Sequence, residues 1–156
     1  MKHLTRLFIL TALICSCSFY AGAQTAAKTE TAVPKGAASY IDTFFKKYKT
    51  SPDSAIDYIF GTNPFFTGSQ IAPLKAKLDS LQFILGKYVG KELIAQKSAT
   101  PSLVLYSYLV KHENQPIRFV FMFYKPKNDW LLYRFNFDDA MDVELLEASR
   151  TNNKRP

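Results

Sequence analysis

His112 is the one histidine beyond His3, and it stands between Lys111 and Glu113 next to the polar pair Asn114-Gln115. An imidazole there could act as a general base. Its place in a turn makes it a solvated hairpin residue instead. The cysteines, Cys15 and Cys17, both fall near the N-terminus. A chain with one histidine and no cysteine past that point lacks the ligands of a transition-metal site, and no metal or cofactor is expected. Asp138, Asp139, Asp142 and Glu144 carry the oxygen ligands a hard cation would use. Their position at the start of a short C-terminal helix accounts for them as cap and first-turn acids. No phosphate loop, nucleophile elbow or zinc-binding helix motif is present. That leaves Tyr106, Tyr108 and Tyr133, three phenols expected on one face of a sheet. Phenols can hold an oxyanion, and these three form the candidate ligand pocket. Without a base beside them they serve more simply as hydrogen-bonding groups at the edge of a core. Glu92 and Asp42 are the carboxylates whose burial next to them would favour an enzyme. No catalytic residue is assigned.

The elements that must position these groups show in the hydrophobic periodicity. Tyr40, Ile41, Phe44, Phe45 and Tyr48 form a helical stripe. Ser51-Pro52-Asp53 opens a second helix, with Ile56, Ile59 and Phe60 on its apolar face and Gly61 at its end. Ile71, Leu74, Leu78, Leu81 and Leu85 make a third stripe, which Gly86 closes. The period then changes to two. Tyr88–Lys97, Leu103–Lys111, Ile117–Tyr124 and Trp130–Phe137 read as strands joined by polar turns, and Met141, Leu145 and Leu146 give a last short helix. The expected fold is α+β: three N-terminal helices packed on a curved four-stranded antiparallel sheet, with a short C-terminal helix.

Pairing the strands about Lys125–Asp129 and Asn114-Gln115 sets Tyr124 opposite Trp130, Phe121 opposite Tyr133, and Tyr108 opposite Phe121. One face then collects Tyr106, Tyr108, Val110, Ile117, Phe119, Phe121, Phe123, Leu131, Tyr133, Phe135 and Phe137, and should pack on the helices. The other carries Leu103, Leu105, Leu109, Val120, Met122, Tyr124, Trp130 and Leu132, too apolar to leave in water. Leu105, Leu109, Val120, Met122, Trp130 and Leu132 are therefore the expected interface with a second copy or with another envelope protein. Arg118 and Arg134 are diagonal neighbours at its rim. They could grip a carboxylate or phosphate, but a salt bridge at a dimer contact is the preferred reading.

The N-terminus reads as a signal peptide over 1–23, with Lys2 and Arg6, an apolar core, and Ala21-Gly22-Ala23 before Gln24. The same apolar core is too short for a membrane span. Ile14-Cys15-Ser16-Cys17 gives lipidation at Cys17 as the lesser alternative. Residues 24–37 read as a disordered spacer, 38–149 as one domain and 150–156 as a flexible tail. The net charge of +7 sits largely on the leader and the tails. The basic balance is thus no sign of nucleic-acid binding. The expected destination is the periplasm or the exterior, with no transmembrane segment in the processed chain.

The phrases LGKYVGKELI, LVLYSYLV, QPIRFVFMFYKP and WLLYRFNFDD, placed after three helices, resemble small exported bacterial members of the nuclear-transport-factor-like, or cystatin-like, cone superfamily. The resemblance covers roughly Ser39 to Asp139 and belongs to a branch without assigned activity. It implies dimers through the outer sheet face and a pocket between helices and sheet. The superfamily hosts isomerases, dehydratases and plain binding proteins, so the likeness selects no reaction. The residues favour a non-catalytic binding or assembly module. A lyase or isomerase, or a carrier of a small apolar ligand, using a tyrosine-lined pocket, is the alternative.

Overall fold

The computed structural model describes residues 35–152, and the side chains of 36–150. The leader, the Cys17 lipobox, most of the spacer and the last four residues lie outside the described residues. The order is α1 (Lys35–Tyr48), α2 (Pro52–Phe60), α3 (Gly68–Leu85), β1 (Tyr88–Thr100), β2 (Leu103–His112), β3 (Ile117–Tyr124), β4 (Leu131–Asp138) and α4 (Met141–Asn152). The strands form one antiparallel meander in the order β1-β2-β3-β4. This is the expected α+β layout. α1 begins at Lys35, earlier than the boundary at 38, and its Ala37 is fully buried. α4 likewise runs past the boundary at 149.

Local chemistry explains the helix ends. The Ser51 hydroxyl accepts from the Ser54 N–H at 3.2 Å, and Pro52 follows where its missing N–H costs nothing. Before α3, the Thr67 N–H donates to the Gln70 side chain at 2.9 Å, half of a capping box. α3 ends at Gly86, whose φ of +77° favours glycine. A Cβ there would also lie 3.1 Å from Glu113.

The inner face of the sheet packs on α1 and α2. Phe44 of α1 lies 5.1 Å from Phe121, and Phe135 lies 5.0 Å from Phe121 and 5.3 Å from Phe119, in tilted or edge-on contacts that aromatic rings favour. Phe44, Phe119, Phe121 and Phe123 have no exposed surface, and they fill the layer between helices and sheet.

Both later hairpins depart from the expected register. In β2–β3, Tyr108 pairs with Phe119 and Tyr106 with Phe121, two residues from the expected partners but on the expected face. The connection is wide because its residues are engaged elsewhere. The Glu113 N–H donates to the Lys87 carbonyl and the Asn114 N–H to the Leu85 carbonyl, each at 3.0 Å. Pro116 has no N–H to extend the ladder.

In β3–β4 a bulge at Tyr133 separates the pairs Phe123–Leu132 and Met122–Arg134. Every residue of β4 before the bulge therefore changes face. Leu132 and Trp130, expected outside, point into the core, with Leu132 fully buried. Tyr133, expected inside, is 55% exposed, and Leu131 faces outward beside Tyr124. The bulge sits where the α2–α3 loop grips the strand. The Leu132 N–H donates to the Thr62 hydroxyl at 3.1 Å, and the Asn63 side-chain amide donates to the Leu132 carbonyl at 2.7 Å. Trp130 is covered by the early start of α1, where a Cβ on Gly36 would lie 3.2 Å from the indole.

Candidate functional site

The three phenols expected to share a pocket are not brought together. Tyr106 and Tyr108 lie buried on the inner face, whereas Tyr133 stands on the bulge in water. Burial, the nearby Asp42 charge and Tyr106 push the Tyr108 phenol up to about 12, so it is neutral at ordinary pH. Asp42 is itself exposed and bonds Lys91 at 2.7 Å. The Lys91 ammonium in turn sits over the rings of Phe45 and Tyr108, at 4.7 and 4.9 Å from their centres. Glu92, whose face the sequence left open, pairs with Leu109 on the outer side and bonds Lys111 at 2.6 Å.

His112 is not the solvated turn residue expected of it. It closes β2 and folds back against α1, with Nε2 at 3.2 Å from the Tyr48 hydroxyl and its ring edge-on to Tyr48 and Tyr88. Burial lowers its pKa, against a smaller opposing effect of the Val110 backbone, and the buried Nδ1 makes no hydrogen bond of good geometry. The Tyr48 phenol is pushed far up by burial and by Tyr88, so this pair stays neutral and joins helix to sheet.

The outer face forms a grid, read from the strand pairs. One row is Lys97, Leu105, Met122 and Arg134. The next is Ala95, Ser107, Val120 and Asn136. A third is Glu92, Leu109, Arg118 and Asp138. Of the expected interface, Leu105, Leu109, Val120 and Met122 do lie on this face, partly exposed, and Arg134 is open to water. Arg118 is engaged within the chain. Its Nε and Nη2 donate to the two Asp138 oxygens at 2.9 Å each, and Nη1 donates to Glu144 of α4 at 2.6 Å. The forked contact to Asp138 and the bond to Glu144 raise the guanidinium pKa further, despite its partial burial. Asp142 and Glu144 stand in the first turn of α4 as expected, and Asp138 accepts from the Ala140 N–H just before it. Asp138 and Glu144 also hold Arg118, which brings α4 over one end of the outer face. Leu145 and Leu146, expected to be its apolar side, point to solvent.

Between α4 and strands β1–β3 lies an open groove of about 510 Å³. Its floor is Ile94, Ala95, Leu105, Ser107 and Val120, and its rim holds Lys97, Arg118, Glu144 and Glu147. The groove exists because the second row begins with two small residues, Ala95 and Ser107, between rows of larger ones. Ser107 is only 4% exposed, and its hydroxyl has no hydrogen-bond partner. The signal for this site was present as one small side chain, Ser107, among the large aliphatic and aromatic residues of LVLYSYLV. A second cleft, of about 260 Å³, lies at the far end of β4, where Phe65, Tyr124, Pro126, Leu131 and Tyr133 meet Asn63 and Leu132. Phe65, on the loop before α3, is 82% exposed, and nothing in its local spacing marked it. Among the described residues, no group of three His, Cys, Asp or Glu side chains could hold a metal ion, and no helix is long and apolar enough to cross a membrane.

Comparison with known proteins returns no matching family model, no matching curated protein and no matching solved structure.

Proposed function

We propose that this chain is an exported, non-catalytic binding or assembly module of the nuclear-transport-factor-like type, working through the outer face of its sheet and pairing there with a second copy. The observation that carries this reading is the part of that face that α4 leaves open. Leu103, Leu105 and Met122 lead without a break into Tyr124, Leu131 and Tyr133, with Phe65 beyond them. Exposed aromatic residues beside partly exposed aliphatic ones are the composition of an interface core. A twofold pair would bury this surface against itself. Chemistry is less well supported on the inner side, where Asp42 is held by Lys91 and His112 by Tyr48. The helix–helix–helix–meander order supports the superfamily likeness.

Leu132 lies in the core, so the test uses residues that are not structural. Met122→Asp with Tyr124→Asp places two charges on the open patch. The wild type should run as a dimer in light scattering at high concentration. The double variant should run as a monomer with an unchanged near-ultraviolet circular dichroism spectrum. A wild type that stays monomeric, behaving as the variant does, rules out self-pairing.

A further inference from the structure

We infer that the groove beneath α4 binds a small amphipathic carboxylate, an anionic head on a hydrocarbon or aryl body. This rests on the outer face being the working surface, but not on its pairing with a second copy. The fold leaves donors uncommitted in the groove. The Ser107 hydroxyl is buried in the floor with no partner, and a polar group in that position is normally satisfied. The Lys97 ammonium makes no ion pair among the described residues. Arg118 spends three N–H groups on Asp138 and Glu144. A guanidinium carries five, so one remains on each terminal nitrogen. The carboxylates at the rim are engaged in part, because Glu144 takes the Arg118 bond through one oxygen and Glu147 has a partner of its own.

The spare donors on Lys97, Arg118 and Ser107 call for an acceptor-rich head. Ile94, Leu105 and Val120 call for an apolar body beside it. The volume is within the range of small-molecule sites. The charge of the head is limited from the other side. Glu144 and Glu147 stand on the same wall, and like charges at close range disfavour a dianion. A single carboxylate meets both conditions, and a doubly charged phosphate does not. Its oxygens would face Lys97 at the rim, with the Ser107 hydroxyl in the floor beside them.

The test follows backbone amide resonances of the isotope-labelled protein during titration with octanoate. Octylamine and inorganic phosphate serve as separate probes. Octanoate should give saturable shifts at Ala95, Leu105, Ser107 and Val120, and octylamine and phosphate should not. Lys97→Gln should weaken octanoate binding about threefold, the worth of one partly exposed charge pair. Ala95→Leu, at a partly exposed position, should fill the groove and abolish the saturable shifts without disturbing the remaining spectrum. Absence of saturable shifts at millimolar octanoate overturns the site. Equal binding of octylamine overturns the assignment of the head group, and shifts with phosphate alone overturn the need for an apolar body. The Met122/Tyr124 double variant should still bind octanoate, since neither residue lines the groove. A monomeric protein that binds octanoate would refute the pairing and keep the site; a dimer that does not bind would do the reverse.

Discussion

At the scale of single residues, the informative side chains are those whose neighbours differ from what their sequence position suggested. His112 was read from its turn-forming neighbours, but α1 lies over that end of β2 and half-buries it. The consequence is a dependence on pH with a definite sign. A buried neutral imidazole has its pKa lowered in the folded state, so the unfolded chain binds the proton more readily. The stability that His112 contributes is full above its ordinary value of about 6.5. It is lost as the pH falls from there through the lowered value. Urea midpoints measured between neutral and mildly acidic pH should therefore drop on acidification. In His112→Gln, which keeps a partner for Tyr48 and cannot take up a proton, that part of the slope should disappear. An unchanged slope would assign the effect to other groups. Arg118 teaches the same lesson. The sequence showed a guanidinium beside an apolar face, but not that Asp138 and Glu144 from the next two elements close on it.

At the scale of elements, the helical stripes and the period-two strands were legible because each is local. α2 begins where Ser51-Pro52 indicates, and β3 spans the expected Ile117–Tyr124. The register of β4 was not legible. Alternation alone assigns Tyr133 to the inside and Leu132 to the outside, and a bulge reverses both. The cause lies about seventy positions earlier, in Thr62 and Asn63, and no window of local sequence contains both partners. Replacing Thr62 with Val and Asn63 with Leu should remove two bonds to the Leu132 backbone. Each loss should cost about 1–2 kcal/mol, because a partly buried N–H or carbonyl is left unpaired. Denaturation midpoints measure the cost. Amide exchange at Leu132 should quicken well beyond that at Phe121, and equal exchange at both would show that the grip does not hold the strand.

At the scale of the whole molecule, the described domain has no disulfide, because neither cysteine lies within it, and its packing rests on the aromatic layer between α1 and the sheet. The overall architecture followed from segregating helices before strands. The division of the sheet into a filled inner side and an outer side partly covered by α4 did not. A short C-terminal helix could cap an edge but not hide three strands, and one ion-paired arginine fixes where it lies. The leader is a separate expectation. Intact-mass measurement on protein recovered from a secreting host should give a chain that begins at Gln24. A mass that begins at Cys17 with acyl chains attached would make the protein a lipid-anchored one, and the outer face would then work beside a membrane.

The grip of Thr62 and Asn63 on Leu132 has one more consequence. β4 is the last strand of the meander, and a last strand normally offers its free backbone groups as a template on which another chain can crystallise. Here the N–H and the carbonyl of its second residue, Leu132, are both occupied by side chains, and the adjoining bulge breaks the straight run that a newcomer would need. At this end of β4 a second copy has no straight, open edge to add to strand upon strand, as an amyloid fibre does. A neighbour seated there has to lie flat against the sheet rather than extend it.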